Sequence, residues 1–153
     1  MRIITKNKVA YFDYEILDSY DSGIILLGHE VKSCKTGKVN ISDAIIFVKD
    51  NKLSISNMDI PLYEKTNPKT VPHYQARAIR YLLLQKKELA KIVSATVKTG
   101  NRIIPLELRE TSRGVLKLKI AIAKLKKKVE KKSVLKERDQ IRDADRQIKD
   151  LKR

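Results

Sequence analysis

From Val115 to Ile122 the side chains alternate with a period of two, placing Leu116, Leu118, Ile120 and Ile122 on one face and Lys117 and Lys119 on the other. Only an extended strand separates those two sets, because successive Cβ atoms of a strand point to opposite faces. Ile103 to Leu108 reads as its antiparallel partner, with Thr111-Ser112-Arg113-Gly114 as the turn between them. Ala44 to Val48 and Leu53 to Ser56 flank Asp50-Asn51, a second hairpin signal. Phe12 to Leu17 and Ile24 to Leu27, separated by Asp21-Ser22-Gly23, predict one more near the start of the chain. A 153-residue chain with three hairpins is expected to be mainly β, with short helices between strands. The architecture that suits it is a small closed antiparallel barrel of the oligonucleotide-binding (OB) type, since closure removes edge strands that so small a domain protects poorly.

Two helices are predicted between the strands. Apolar alternation stops at Leu27, Gly28 breaks the strand, and Gly37 closes a helix of barely two turns. On it Val31 and Cys34 lie three apart and share the inner face, which leaves Glu30, Lys32, Ser33 and Lys35 pointing elsewhere as a recognition element. A longer helix is expected from Ala76 to Val93, with Leu82, Leu83, Lys86, Leu89 and Val93 on one face. The barrel with its helical inserts occupies residues 1–123, and residues 124–153 form a separate basic tail.

Charge decides the class of partner. Lys and Arg number 34 against 18 Asp and Glu, a net charge of +16 with a pI near 9.9. A surplus of that size calls for a polyanion, and a nucleic-acid backbone is the commonest one. Cys34 is the only cysteine, which rules out an intramolecular disulfide, and with His29 and His73 it is too small a set for structural zinc. No metal or cofactor is expected. Neither a signal peptide nor a membrane-spanning stretch is visible, so the expected location is the cytoplasm, or the matrix of an organelle of bacterial descent. The chain shows no phosphate-binding glycine loop, dinucleotide fingerprint, zinc-protease motif or nucleophile elbow, and it reads as a non-enzyme, monomeric when free.

Candidate phosphate contacts are Lys32, Lys35, Lys117, Lys119 and Lys124. Glu30 is an acid in a basic neighbourhood. It either accepts from a base amine or a 2′-hydroxyl, or pins a neighbouring lysine in a salt bridge. Tyr11, Phe12, Tyr14 and Tyr20 could offer stacking platforms, but core filling is the stronger reading for at least half of them. From Lys124 to Arg153 thirteen basic residues face six acids, without glycine, proline or an aromatic. Such a segment fits a tail disordered alone and helical against a polyanion, while Ile141, Ala144, Ile148 and Leu151 give only a short apolar seam.

Several of these segments together resemble one family. Gly28, Glu30, Val31, Lys32, Ser33, Lys35 and Gly37, followed by Asn40 and Asp43, match the pattern Gly-x-Glu-Val-Lys-Ser-Leu-Arg-x-Gly and its Asn-x-x-Asp sequel. Asn7-Lys8-Val9-Ala10 with Asp13-Tyr14, Gly23-Ile24, Arg80-Tyr81-Leu82-Leu83-Leu84 with Glu88, Pro105-Leu106 and the run Lys117 to Lys128 follow in the same order. This colinear set resembles the SsrA-binding protein, or small protein B, family. The resemblance implies an OB-like body on the tRNA-like portion of transfer-messenger RNA. It also implies direct RNA contact by Glu30, with Asn7, Lys8 and Ser33 completing the RNA-binding set, and a basic tail entering the empty messenger channel of a stalled ribosome near the decoding centre. Lys126, Lys127, Lys128, Lys131, Lys132, Lys136 and Arg138 would be its contacts to small-subunit RNA. The chain departs from the family at Leu125, Val129 and Glu130, where members commonly show a glycine, a ring and an Asp, and at Ala78 and Gln85. The alternatives are a ribosomal or initiation-factor-like protein of the same fold, and a structural protein that oligomerises through its tail.

Overall fold

The computed structural model describes residues 1–98 and 100–126. Its strands are β1 (Arg2–Lys6), β2 (Tyr14–Ile24), β3 (Ile45–Lys49), β4 (Lys52–Ser56), β5 (Arg80–Leu83), β6 (Asn101–Glu110) and β7 (Leu116–Leu125). The helices are α1 (Lys8–Asp13), α2 (Gly28–Lys35) and α3 (Lys86–Thr96). All strand pairs are antiparallel, in the order β1-β6-β7-β2-β5-β4-β3.

The sheet is mainly β as expected, but it is not a closed barrel. Its edges are β1 and β3. Closure would need β3 to pair with β6, yet β1 already takes the outer edge of β6 at Glu107–Glu110. The first half of β6 and the edge of β3 instead face each other across a cleft of about 490 Å³ lined by Tyr14, Ile45, Phe47, Arg102 and Ile104. Side-chain packing joins what hydrogen bonds do not, for Ile46 and Ile103 belong to the same core.

Two of the predicted hairpins form. Asp50 and Asn51 take φ of 52° and 58°, the left-handed pair that a two-residue turn demands between right-twisted strands. In the β6–β7 turn Gly114 adopts φ 79°, and the Thr111 and Val115 backbones close it with a 2.9 Å bond. The first expected hairpin does not exist. Residues 14–24 are one strand, laid along β7 from Tyr14↔Leu125 to Gly23↔Lys117, because β7 offers a ladder long enough to hold all of it. Gly23 lies there for space rather than for a turn: a Cβ on it would sit 3.3 Å from the Leu83 Cβ that crosses it.

The long predicted helix is also corrected. Residues 80–83 are strand, and helix begins only at Lys86. Arg80 and Leu82 point inward while Tyr81 and Leu83 point out, a period of two that the apolar triplet Leu82-Leu83-Leu84 conceals in the sequence.

Strand β7 builds the core as its pattern predicts: Leu116, Leu118, Ile120 and Ile122 pack with Ile55, Ile60 and Leu108. Its other face is wet at Lys117 and Lys119 but covered at Ala121 and Ala123, where α1 brings Ala10 down on Leu106 and Ile104. Only small side chains allow a helix that close. The strand runs to Leu125, two residues into the segment read as tail.

Cys34 lies at 0 % exposure in the main core. Burial pushes its thiol up to about 12, helped by the nearby Glu30 carboxylate and opposed by the Arg80 guanidinium. A thiol reagent such as iodoacetamide is therefore expected to leave the native protein unlabelled at neutral pH and to modify it stoichiometrically in denaturant. Mass spectrometry reads the outcome, and rapid native labelling would contradict the packing described.

Candidate nucleic-acid interface

Helix α2 is short and amphipathic in an unusual sense, because its inner face carries polar groups. Glu30 (4 % exposed), Ser33 and Cys34 are buried, and Lys32 and Lys35 remain outside. The expectation that Glu30 and Ser33 point away from the core is thus corrected. Glu30 occupies the third position of the helix and its Oε1 accepts from the N-cap amide of Leu27 at 2.9 Å, one half of a capping box. Its Oε2 receives Nε of Arg80 at 2.7 Å, and Nη2 of the same guanidinium as well.

Arg80 reaches Glu30 from the inner face of β5 and spends its other donors on backbone. Nη1 donates to Met58 O at 2.7 Å, and Nη2 to Ala76 O at 3.0 Å. The Tyr74 hydroxyl donates to Ile60 O at 2.6 Å and lies 3.2 Å from Glu30 Oε2. Burial, then the Glu30 charge, pushes the Tyr74 phenol up to about 12, so it stays a donor. The His29 ring stands edge-on to that of Tyr74 at 4.7 Å. Ser33 ties α2 to the segment after β4 by donating to Pro61 O at 2.5 Å. A buried ion pair whose remaining donors are all satisfied acts as a bolt: it holds α2, β5 and residues 58–78 in one arrangement. The salt bridge left open for Glu30 exists, but its partner is Arg80 rather than a lysine.

Around this bolt the expected lysines divide. Lys32 lies 6.0 Å from the Tyr63 ring centre. Lys35 approaches Glu110 at 3.6 Å beside the β6–β7 turn, and Arg2 donates to the Lys35 carbonyl at 3.1 Å. Lys117 and Lys119 follow on the outer face of β7. Lys119 sits opposite Asp21 on β2 and Glu107 on β6. Burial works to raise the Glu107 carboxyl. Hydrogen bonds from Arg109 (2.8 Å) and Tyr11 (3.1 Å), with the charges of Arg109 and Lys119, outweigh it and hold the group below the usual range. Part of the Lys119 charge is therefore committed inside the protein.

A model of the family described as SmpB protein matches residues 4–150 of the sequence. The chain belongs to the SmpB family. An SsrA-binding protein of Anaplasma marginale (strain Florida) is 38% identical over 146 residues, 95% of this chain and 96% of the relative. One of Parabacteroides distasonis is 41% identical over 144 residues, covering 94% and 92%. A solved chain from a structure described as "tmRNA-SmpB: a journey to the center of the bacterial ribosome" superposes with a TM-score of 0.66 at 35% identity, over 81% of this chain and 85% of that one.

The remaining expected positions of this SmpB-family chain lie elsewhere on the body. Asn7 is buried and structural: its Oδ1 caps α1 by accepting from Ala10 N at 3.2 Å, and its Nδ2 donates to Pro105 O at 2.9 Å. Lys8 is exposed at the start of α1, and Lys124 is exposed at the far end of β7. Lys126 is held against α1, its amide donating to Asp13 O at 2.9 Å. Lys127, Lys128, Lys131, Lys132, Lys136 and Arg138 fall outside the described residues. Arg80 and Tyr74 were missed as site residues. The one available signal was an acid three residues into a helix within a basic protein, which is a capping position before it is an RNA contact. Among the described residues there is no cluster of metal-ligating side chains and no helix long and apolar enough to cross a membrane.

Proposed function

We propose that this protein binds transfer-messenger RNA through its tRNA-like portion and carries it to stalled ribosomes for trans-translation. The observation that carries the reading is the family match over residues 4–150 together with the superposition on a chain solved with tmRNA on the bacterial ribosome. The body's charge distribution supports it. Lys32 and Lys35 project from a helix that the Glu30–Arg80 pair holds rigid, and Lys117 and Lys119 continue the basic surface along β7. Contacts from ordered elements to phosphates and 2′-hydroxyls read RNA shape rather than sequence. Glu30, Ser33 and Asn7 serve in this reading as positioning residues, and Lys8, Lys124 and Lys126 add charge near the exit of the chain. The basic segment beyond Lys126 enters the empty messenger channel near the decoding centre. No catalytic step is assigned to the protein.

Titration with the tRNA-like RNA over a range of salt tests the assignment. Lys32→Ala and Lys119→Ala are each expected to flatten the slope of log affinity against log salt by about one phosphate contact. Asp21 and Glu107 make the Lys119 effect the smaller of the two. Slopes identical to wild type in both variants would remove these lysines from the interface. Absence of measurable binding by the wild type would remove the function.

A further inference from the structure

Strands β3, β4, β5 and the end of β2 turn a second face outward, and among the described residues no helix crosses it, although Leu89 of α3 borders it beside Leu83 and Leu84. Phe47 pairs with Ser54, Ser54 with Tyr81, and the Ile25 amide bonds the Tyr81 carbonyl at 3.0 Å, so these four residues form one row across the sheet. Tyr81 is 50% exposed and Ile25 52%, whereas Ser54 between the two rings is only 3% exposed. Leu83 and Ile79 extend the apolar surface on either side of Tyr81. Contiguous exposed apolar surface of this kind marks an interaction site more often than an accident of composition.

Charge selects the occupant. Lys49 and Lys52 face each other at the hairpin end of this surface, and the Lys52 ammonium stands 5.9 Å from the centre of the Tyr81 ring. The outward positions of β3, β4 and β5 carry no carboxylate; Asp50 lies in the turn between the two lysines, and Asp21 on β2 sits opposite Lys119. The ammonium lies over the ring, where an unpaired nucleotide would displace it: the base takes the ring face and the flexible lysine swings to the phosphate. Phe47 and Tyr81 stand two strands apart, roughly 10 Å, so they would take separate bases. We infer that the outer face of β3, β4 and β5, centred on Tyr81 with Phe47 and Lys52, is a stacking platform for unpaired RNA, separate from the shape-reading surface of α2. This rests on the RNA-binding reading above and adds a second contact to it.

The experiment uses the full chain, a short fluorescent oligouridylate, and the folded tRNA-like RNA in parallel at physiological salt. Tyr81→Ser is expected to weaken oligouridylate binding roughly 5- to 150-fold, the range for one lost base stack, and to leave the tRNA-like affinity unchanged within about twofold. Tyr81→Leu keeps the apolar bulk and removes the ring, so it should lose as much, while Tyr81→Trp should bind as well as wild type. Thermal melts establish that each variant is folded, and Tyr81→Leu carries the test should the serine variant not be. Ultraviolet crosslinking of the oligouridylate should place an adduct on Tyr81 or Phe47. Unchanged oligouridylate binding in both Tyr81→Ser and Tyr81→Leu would overturn the platform and leave the RNA-binding function standing. Full binding by Tyr81→Leu would overturn stacking in favour of an apolar contact. Self-association that Tyr81→Ser abolishes, with oligouridylate binding untouched, would assign the face to a protein partner instead. A wild-type chain that binds neither RNA would overturn both readings.

Discussion

Glu30→Ala is expected to destabilise the domain by about 3–5 kcal/mol, a large part of the roughly 5–15 kcal/mol that holds a domain folded. The cost comes mainly from what is left behind. Arg80 is 4% exposed, and without the carboxylate its guanidinium would be a buried charge facing only carbonyl oxygens and the Tyr74 hydroxyl. The Leu27 amide would lose its partner as well. Equilibrium unfolding in urea measures the loss. Replacing both members of the pair with apolar residues, Glu30→Leu with Arg80→Met, should recover much of it, because neither charge then remains unpaired. RNA binding should decline with the folded fraction and persist wherever the variant is still native. A Glu30→Ala protein as stable as wild type that has lost its RNA would reverse this assignment and return Glu30 to direct contact.

Removing residues 127–153 is expected to abolish peptide tagging on stalled ribosomes while leaving a folded body that binds the tRNA-like RNA. Among the described residues the ladder runs to Leu125, opposite Tyr14, and Lys126 is anchored on Asp13, so the truncation keeps every described strand pair. The removed segment has few apolar residues to offset an ordering cost of about 1–2 kcal/mol per residue, which fits a segment that acts on an anionic surface. A cut after Ala123 should differ. It deletes the partners of Tyr14, Glu15 and Asn101, and each lost ladder bond costs on the order of 1 kcal/mol. Thermal melts compare the two truncations, and a reconstituted tagging assay reads function. Normal tagging by the chain that ends at Lys126, or its failure to fold, would defeat the division of labour.

Family resemblance in the sequence reached the RNA before any geometry did, because Gly28 to Gly37 and the segments colinear with it are matched by residue type and order alone. Local physics carried the two hairpins that form. Asp50-Asn51 supplies a left-handed turn from its own side chains, and the alternation of Leu116 to Ile122 depends only on the period of an extended chain. The bounds of α2 were legible for the same reason, through Gly28 and Gly37, whereas which of its side chains face inward was not. Three matters were settled by tertiary contact. Asp21-Ser22-Gly23 has the composition of a turn but lies inside a strand, since the β7 ladder outweighs local preference and Leu83 needs the room above Gly23. Arg80 sits in an apolar run that fits a helix as well as a strand, and only the carboxylate waiting on α2 draws it inward. Glu30 carries no mark in the sequence that tells a base from a guanidinium as its partner. Local pattern determines which conformations a segment favours and where its charge accumulates. Partners fifty residues apart, such as Glu30 and Arg80, are chosen by the packing of the whole chain, because the desolvation that makes their pairing compulsory exists only once the core has formed.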